Sequence, residues 1–209
     1  MSTPKHRRAV GSSYFVTTKC WQGRHAFQVS QIAEILVQTM LHYRDRNYYS
    51  LHEFVVMPDH IHLLLTPFAT TTLEKAVQLV KGGSAHEIHR QCAQGMRIWQ
   101  EGFYDWTIRN PDDWQTKVAY IRMNPVRAKL AAKPEDWLYS SASHRFKLDP
   151  VPGRYMPSAS GAKAPASPTQ TPGLKPRPPK ELHRSPEALE SRFSKERAQE
   201  SRSVKEDTA

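Results

Sequence analysis

Two apolar runs, residues 49–57 and 60–66, are separated only by Pro58 and Asp59. Each has the length of a strand and is rich in Val, Leu, Ile and Phe. Proline sets φ to about −65° at the first corner of a tight turn, and aspartate suits the second. Strands joined by so short a link pair antiparallel. Around this hairpin the rest of the first 150 residues falls into order. Residues 12–18 (S-S-Y-F-V-T-T) read as a strand, and residues 30–46 as a helix with Ser30 at its N-cap and Ile32, Ile35, Leu36, Met40 and Tyr43 on one face. Residues 72–94 read as a second helix, bent or interrupted at Gly82-Gly83. Residues 104–108 form a short strand. Asn110-Pro111-Asp112-Asp113 then opens a third helix, with an Asn cap, Pro at N1 and acids on the positive end of the dipole. Pro125 is expected to end it near Met123.

The order β-α-β-β-α-β-α predicts an α+β fold. Its first six elements match the ferredoxin-like split βαβ sandwich, with an antiparallel sheet, helices on one face and the other face free for ligands. RNA-recognition modules share that layout. The added C-terminal helix carries Tyr120. Composition changes near residue 150. Residues 151–209 hold 9 of the 16 prolines but only 2 of the 20 aromatics, Tyr155 and Phe193. We read 1–150 as the folded domain and 151–209 as a Pro-rich, basic tail. Residues 158–180 are expected to be disordered and 185–206 at most a solvated helix.

The chain carries 30 Lys and Arg against 20 Asp and Glu. An excess of this size suits a polyanion, with nucleic acid first among candidates. No run of about 18 apolar residues is present, which argues against a membrane helix. The basic first ten residues lead into no apolar segment, so a signal peptide is not expected. Cys20 and Cys92 make neither a disulfide framework nor a CxxC thiolate pair, which fits a reducing, intracellular compartment.

Three groups of residues could carry chemistry. His60 and His62 alternate along a strand and so project together, while Ile61, Leu63 and Leu65 face the core. Two neutral imidazoles on one face suit a metal ion, although H-x-H also occurs as plain surface or cross-strand histidines. Asp59 could orient one ring. Tyr120 and Asn124 lie one helical turn apart, amid Arg109, Lys117, Arg122, Arg127 and Lys129, a setting for phosphate. A lone helical tyrosine is otherwise packing. Trp21, Arg24, Lys81, Trp99, Trp106 and Trp114 mix stacking rings with cations, as single-strand binding requires, though each is also a normal core or rim residue.

In several segments the sequence resembles the REP-associated tyrosine transposases, relatives of the HUH-type insertion-sequence transposases. The segments are Y-F-V-T-T at residues 14–18, L-H-E-F-V-V-M-P-D-H-I-H-L-L-L-T-P at 51–67, V-K-G-G at 80–83, I-W-Q-E-G-F-Y-D at 98–105, Y-I-R-M-N-P-V-R-A-K-L at 120–130 and W-L-Y-S-S-A at 137–142. The resemblance covers roughly residues 10–145 and says nothing about the tail. It implies that His60 and His62 hold a divalent cation, Mg²⁺ or Mn²⁺, and that Tyr120 is the nucleophile. Asn124 would complete the metal site where related enzymes carry Gln. Arg109, Arg122, Arg127, Lys81 and Arg24 would contact DNA. The implied reaction is cleavage and joining of single-stranded or hairpin DNA through a 5′-phosphotyrosine, in a nucleoid-associated, cytoplasmic bacterial setting. Some relatives complete the site in trans and others act alone, so a monomer and a homodimer are both compatible. Two competing readings use the same features. One is a non-catalytic DNA or RNA hairpin-binding module, and the other a metallohydrolase in which the histidine pair activates water.

Overall fold

The structure, a computed structural model, describes residues 11–156 apart from 93, 94 and 96. The disordered stretch and the solvated helix expected in the tail lie outside the described residues.

The elements follow the expected order: β1 (Tyr14–Lys19), α1 (Ser30–Asp45), β2 (Tyr49–Val56), β3 (His60–Pro67), α2 (Leu73–Cys92), β4 (Tyr104–Thr107) and α3 (Pro111–Arg127). The strands form one sheet in the order β2-β3-β1-β4, and every pairing is antiparallel. The β2–β3 turn closes with Met57 N–H donating to the His60 carbonyl at 2.8 Å, leaving Pro58 and Asp59 at its tip. One face of the sheet packs Val16, Leu51, Phe54, Ile61, Leu63 and Leu65 against α1 and α2. The fold is therefore α+β with the split βαβ arrangement.

Four expectations need correction. Ser30 is the first residue of α1 rather than its cap; Val29 occupies the N-cap without a side-chain bond. Gly82-Gly83 does not interrupt α2, which is continuous. Gly83 instead allows close approach to α1, because a Cβ there would lie 2.6 Å from the Tyr43 ring. Nor does α3 stop near Met123; it runs through Pro125 to Arg127. Pro125 loses one backbone donor, but its ring is buried, so packing offsets the local preference. Finally, the second sheet face is not free. Phe15, Val55, Met57 and Leu64 pack there with Trp114 and Ile121 of α3. Only its β4 edge, with Tyr104 and Trp106, stays open.

Tyr155 belongs to this second core. It is buried, stacks on Trp114 at a centroid distance of 5.0 Å, and donates its hydroxyl proton to the Ile108 carbonyl at 3.1 Å. Packing on α3 thus continues beyond residue 150.

A bulge between Leu51 and Glu53 shifts the register of β2 against β3. An extra residue in one strand lets two neighbouring side chains face the same way. Both His52 and Glu53 accordingly reach the α3 side: His52 Nε2 bonds Thr66 Oγ1 at 2.9 Å, and Glu53 pairs with Arg122 of α3, Nη2 to Oε1 at 2.5 Å. The Ser141 hydroxyl also donates to Glu53. Glu53 is buried while Arg122 is about half exposed. Arg122→Ala would leave the buried Glu53 carboxylate with the Ser141 hydroxyl but without its α3 countercharge, at a cost of about 2 kcal/mol. Denaturant unfolding should show that loss, and a variant as stable as wild type would contradict the assignment.

Burial holds the His52 imidazole below its usual pKa of 6.5, although Asp149 and Glu53 pull the other way. The unfolded chain therefore binds a proton that the folded chain resists. This contribution to stability is intact above pH 6.5 and is lost as the pH falls below it. Unfolding measured between pH 8 and pH 5 should show a steeper decline in wild type than in His52→Gln. Equal slopes would count against it.

Candidate active site

His60 and His62 leave β3 on the α3 side, with ring centroids 4.8 Å apart. Each is held from behind. Asp59 accepts from Nδ1 of His60 at 2.6 Å. Burial works against the Asp59 charge, but the bond and charge of His60 outweigh it and keep the carboxyl below its usual range. A carboxylate only accepts, so Nδ1 of His60 carries a proton, and Nε2 is the nitrogen left to ligate a cation when the ring is neutral. Thr17 lies opposite His62 on β1, and its Oγ1 is 2.8 Å from Nδ1 of His62. Burial, reinforced by His60, Lys117 and Lys19, pushes the His62 pKa down to about 3. The ring is therefore neutral at physiological pH. Its Nε2 is buried and has no hydrogen-bond partner.

A buried polar atom without a partner is costly, and in a native protein it asks for a ligand. Two imidazoles fixed through Nδ1, with Nε2 left over, suit a divalent cation. Among the described residues, no group of three or more His, Cys, Asp and Glu side chains is arranged to hold a metal. Further donors would have to be oxygens of another kind, and the Asn124 amide is a candidate.

The tyrosine arrives from α3. Asn110 caps that helix by accepting from Asp113 N–H at 2.8 Å, and Trp114 and Ile121 anchor it to the sheet. This places the Tyr120 ring edge-on to His62 at 5.1 Å and to Phe15 at 5.7 Å. Phe15 in turn stacks on His62 at 5.2 Å. Tyr120 remains 38% exposed, so its hydroxyl is open to a substrate. Since α3 stays helical past Pro125, the partly buried Asn124 shares a face with Tyr120.

The five cations expected to meet DNA are not equivalent. Arg127 lies over the Tyr120 ring at 5.5 Å, and Arg109 lies 5.3 Å from the Trp106 ring. Arg122 is engaged with Glu53. Lys81 donates to the carbonyls of Gln100 and Gly102, both at 2.7 Å, tying α2 to the segment before β4. Arg24 is exposed in the segment after β1. Sequence reasoning missed Thr17 and Phe15, whose roles depend on strand register. It gave Lys117 too little weight, although its Nζ lies 4.9 Å over Phe15. Spacing could have found Lys117, which precedes Tyr120 by three residues on a helix. A cleft of about 310 Å³ lies elsewhere, beside Arg122, Trp114 and His144. Glu53 and His52 on its lining already have protein partners. The Cys20 thiol is buried and pushed up to about 12, which makes it inert.

The family model described as "Transposase IS200 like" matches residues 10–124, more than half of the chain. The chain belongs to the IS200-like transposase family and is an enzyme of that DNA-acting class. It is similar to the REP-associated tyrosine transposase of Escherichia coli (strain K12), at 27% identity over 157 residues covering 74% of this chain and 88% of the relative. A Haemophilus influenzae relative is 26% identical over 165 residues, covering 73% of this chain and 92% of its own length. A solved REP-associated tyrosine transposase bound to a REP hairpin shares the fold, with a TM-score of 0.60 and 22% identity over 79% of this chain and all of that one. No helix among the described residues is long and apolar enough to cross a membrane.

Proposed function

We propose that this chain cuts and rejoins single-stranded DNA next to a REP-type hairpin, with Tyr120 as nucleophile and a divalent cation at His60 and His62. The observation that carries this reading is the buried, unpartnered Nε2 of His62 beside the Tyr120 ring. The relatives named as REP-associated tyrosine transposases support the substrate class.

The cation, Mg²⁺ or Mn²⁺, would supply Lewis acidity at the scissile phosphate; imidazole donors favour Mn²⁺ on softness. His60, His62 and the Asn124 amide would hold it. Tyr120 Oη attacks phosphorus in line as the bond to the 3′ oxygen breaks. The phenol proton passes to solvent, and the leaving 3′ oxygen takes one up. Phenol ionises near pH 10, far more readily than an alkyl alcohol, so it both attacks and leaves well. The 5′-phosphotyrosine keeps the bond energy, and a second 3′-OH can reverse the step without a nucleotide cofactor. Phe15 and His62 fix the ring, while Arg127 and Lys117 place positive charge beside the phosphate path. His62 and Tyr120 meet within one chain, which is compatible with a monomer or a homodimer.

Hairpin binding without chemistry would leave the orphan nitrogen unexplained, and hydrolysis by water would leave Tyr120 idle. The test is incubation of the protein with Mn²⁺ or Mg²⁺ and a labelled hairpin oligonucleotide carrying a single-stranded flank. A metal-dependent species surviving on a denaturing gel is expected. Cleavage without such a species, or hairpin binding alone, would overturn the reading.

A further inference from the structure

The open β4 edge of the second sheet face carries two aromatic rings that the cores do not absorb. Tyr104 and Trp106 alternate on β4 and therefore share a face. They stand opposite Thr17 and Phe15 in register, and those residues stand opposite His62 and Leu64. Tyr104 is thus two strand spacings from His62, about 10 Å between backbones. Tyr104 is 56% exposed and Trp106 37%. Exposing two large rings on an edge strand needs an explanation, because the opposite face already packs on α1 and α2.

Charge supplies one. Lys117 Nζ sits 5.0 Å over the Trp106 ring, and the Arg109 guanidinium is 5.3 Å from it. Burial lowers the Lys117 pKa while Asp113 opposes the fall. Lys19, exposed at the end of β1, lies opposite His60. Flat apolar rings bordered by cations, on the same face as the histidine pair, are complementary to a strand with stacked bases and a charged backbone.

We propose that Tyr104 and Trp106 are a stacking platform for unpaired bases adjoining the phosphate addressed by Tyr120, with Lys117 and Arg109 on that strand's phosphates. Rings accept any base, so the platform contributes affinity and strand placement rather than sequence choice. It keeps the flanking strand single and aligned with the nucleophile.

The proposal rests on the strand-cleavage reading, but its test reads binding. The full chain is titrated against a fluorescein-labelled oligothymidylate in chelator, by anisotropy. Tyr104→Ala and Trp106→Ala are each expected to weaken binding about 5- to 100-fold. Tyr104→Phe and Trp106→Phe should stay close to wild type. With the wild-type protein, an abasic site walked along the strand should cost at least about fivefold at one or two positions; this arm needs no variant to fold. Alanine variants that bind like wild type, phenylalanine variants as weak as alanine, or an abasic walk without effect would each overturn the platform. Ring-dependent binding here, together with no covalent adduct in the metal-supplemented hairpin assay, would instead sink the cleavage reading and leave the platform standing.

Discussion

Tyr120→Phe should abolish cleavage and the covalent species, lowering the rate by at least about 10³-fold, while hairpin affinity stays within about twofold of wild type. The substitution removes one oxygen from a ring whose place is set by edge contacts with His62 and Phe15. A phenylalanine ring keeps both contacts. Since Tyr120 is 38% exposed, its hydroxyl can be lost without stranding a buried partner, and the melting temperature should barely move. A role in packing or in DNA binding predicts the opposite pattern, with retained cleavage or lost affinity. Gel analysis of cleavage and anisotropy on one preparation separate the two. A Phe variant that cuts at the wild-type rate would remove Tyr120 from the chemistry.

His62→Ala should cost about as much activity, at least about 10³-fold, by a different route. It removes a buried nitrogen that has no hydrogen-bond partner and frees Thr17 Oγ1 from its bond to the ring. The measurement that isolates the cause is thermal stability with added Mn²⁺. A cation that binds only the folded chain stabilises it by about 2.7 kcal/mol at a hundredfold excess over Kd. Wild type should melt higher with Mn²⁺, whereas His62→Ala and His60→Ala should not respond. A His62→Ala protein that melts higher with Mn²⁺ to the wild-type extent would place the cation elsewhere.

What could be read in advance follows from how local each signal is. The hairpin around Pro58-Asp59 was legible because two short apolar runs with a two-residue link have one way to pair. The common direction of His60 and His62 followed from strand alternation, and the start of α3 from Asn110-Pro111. Each of these signals sits within a few residues. The continuation of α3 through Pro125 was hidden, because burial of the proline outweighs its local preference. Gly82-Gly83 looked like a break, but the packing of Tyr43 on Gly83 lies about forty positions away in sequence. The covering of the second sheet face was missed for the same reason: Trp114 and Ile121 look like ordinary apolar helix residues until the helix is docked. Tyr155, alone in a proline-rich stretch, gave no sign of its place against Trp114. Within the site, Thr17 depended on the register between β1 and β3, which depends on the whole sheet.

The central claim is that the Tyr120 oxygen becomes bonded to DNA. Trypsin cleavage after Lys117 and Arg122 releases residues 118–122, in which Tyr120 is the one tyrosine. Mass spectrometry of the nuclease-trimmed, trypsin-digested adduct should find that peptide carrying a 5′-linked nucleotide. A nucleotide on another tyrosine, such as Tyr104, or cut DNA with no peptide attached, would contradict the account.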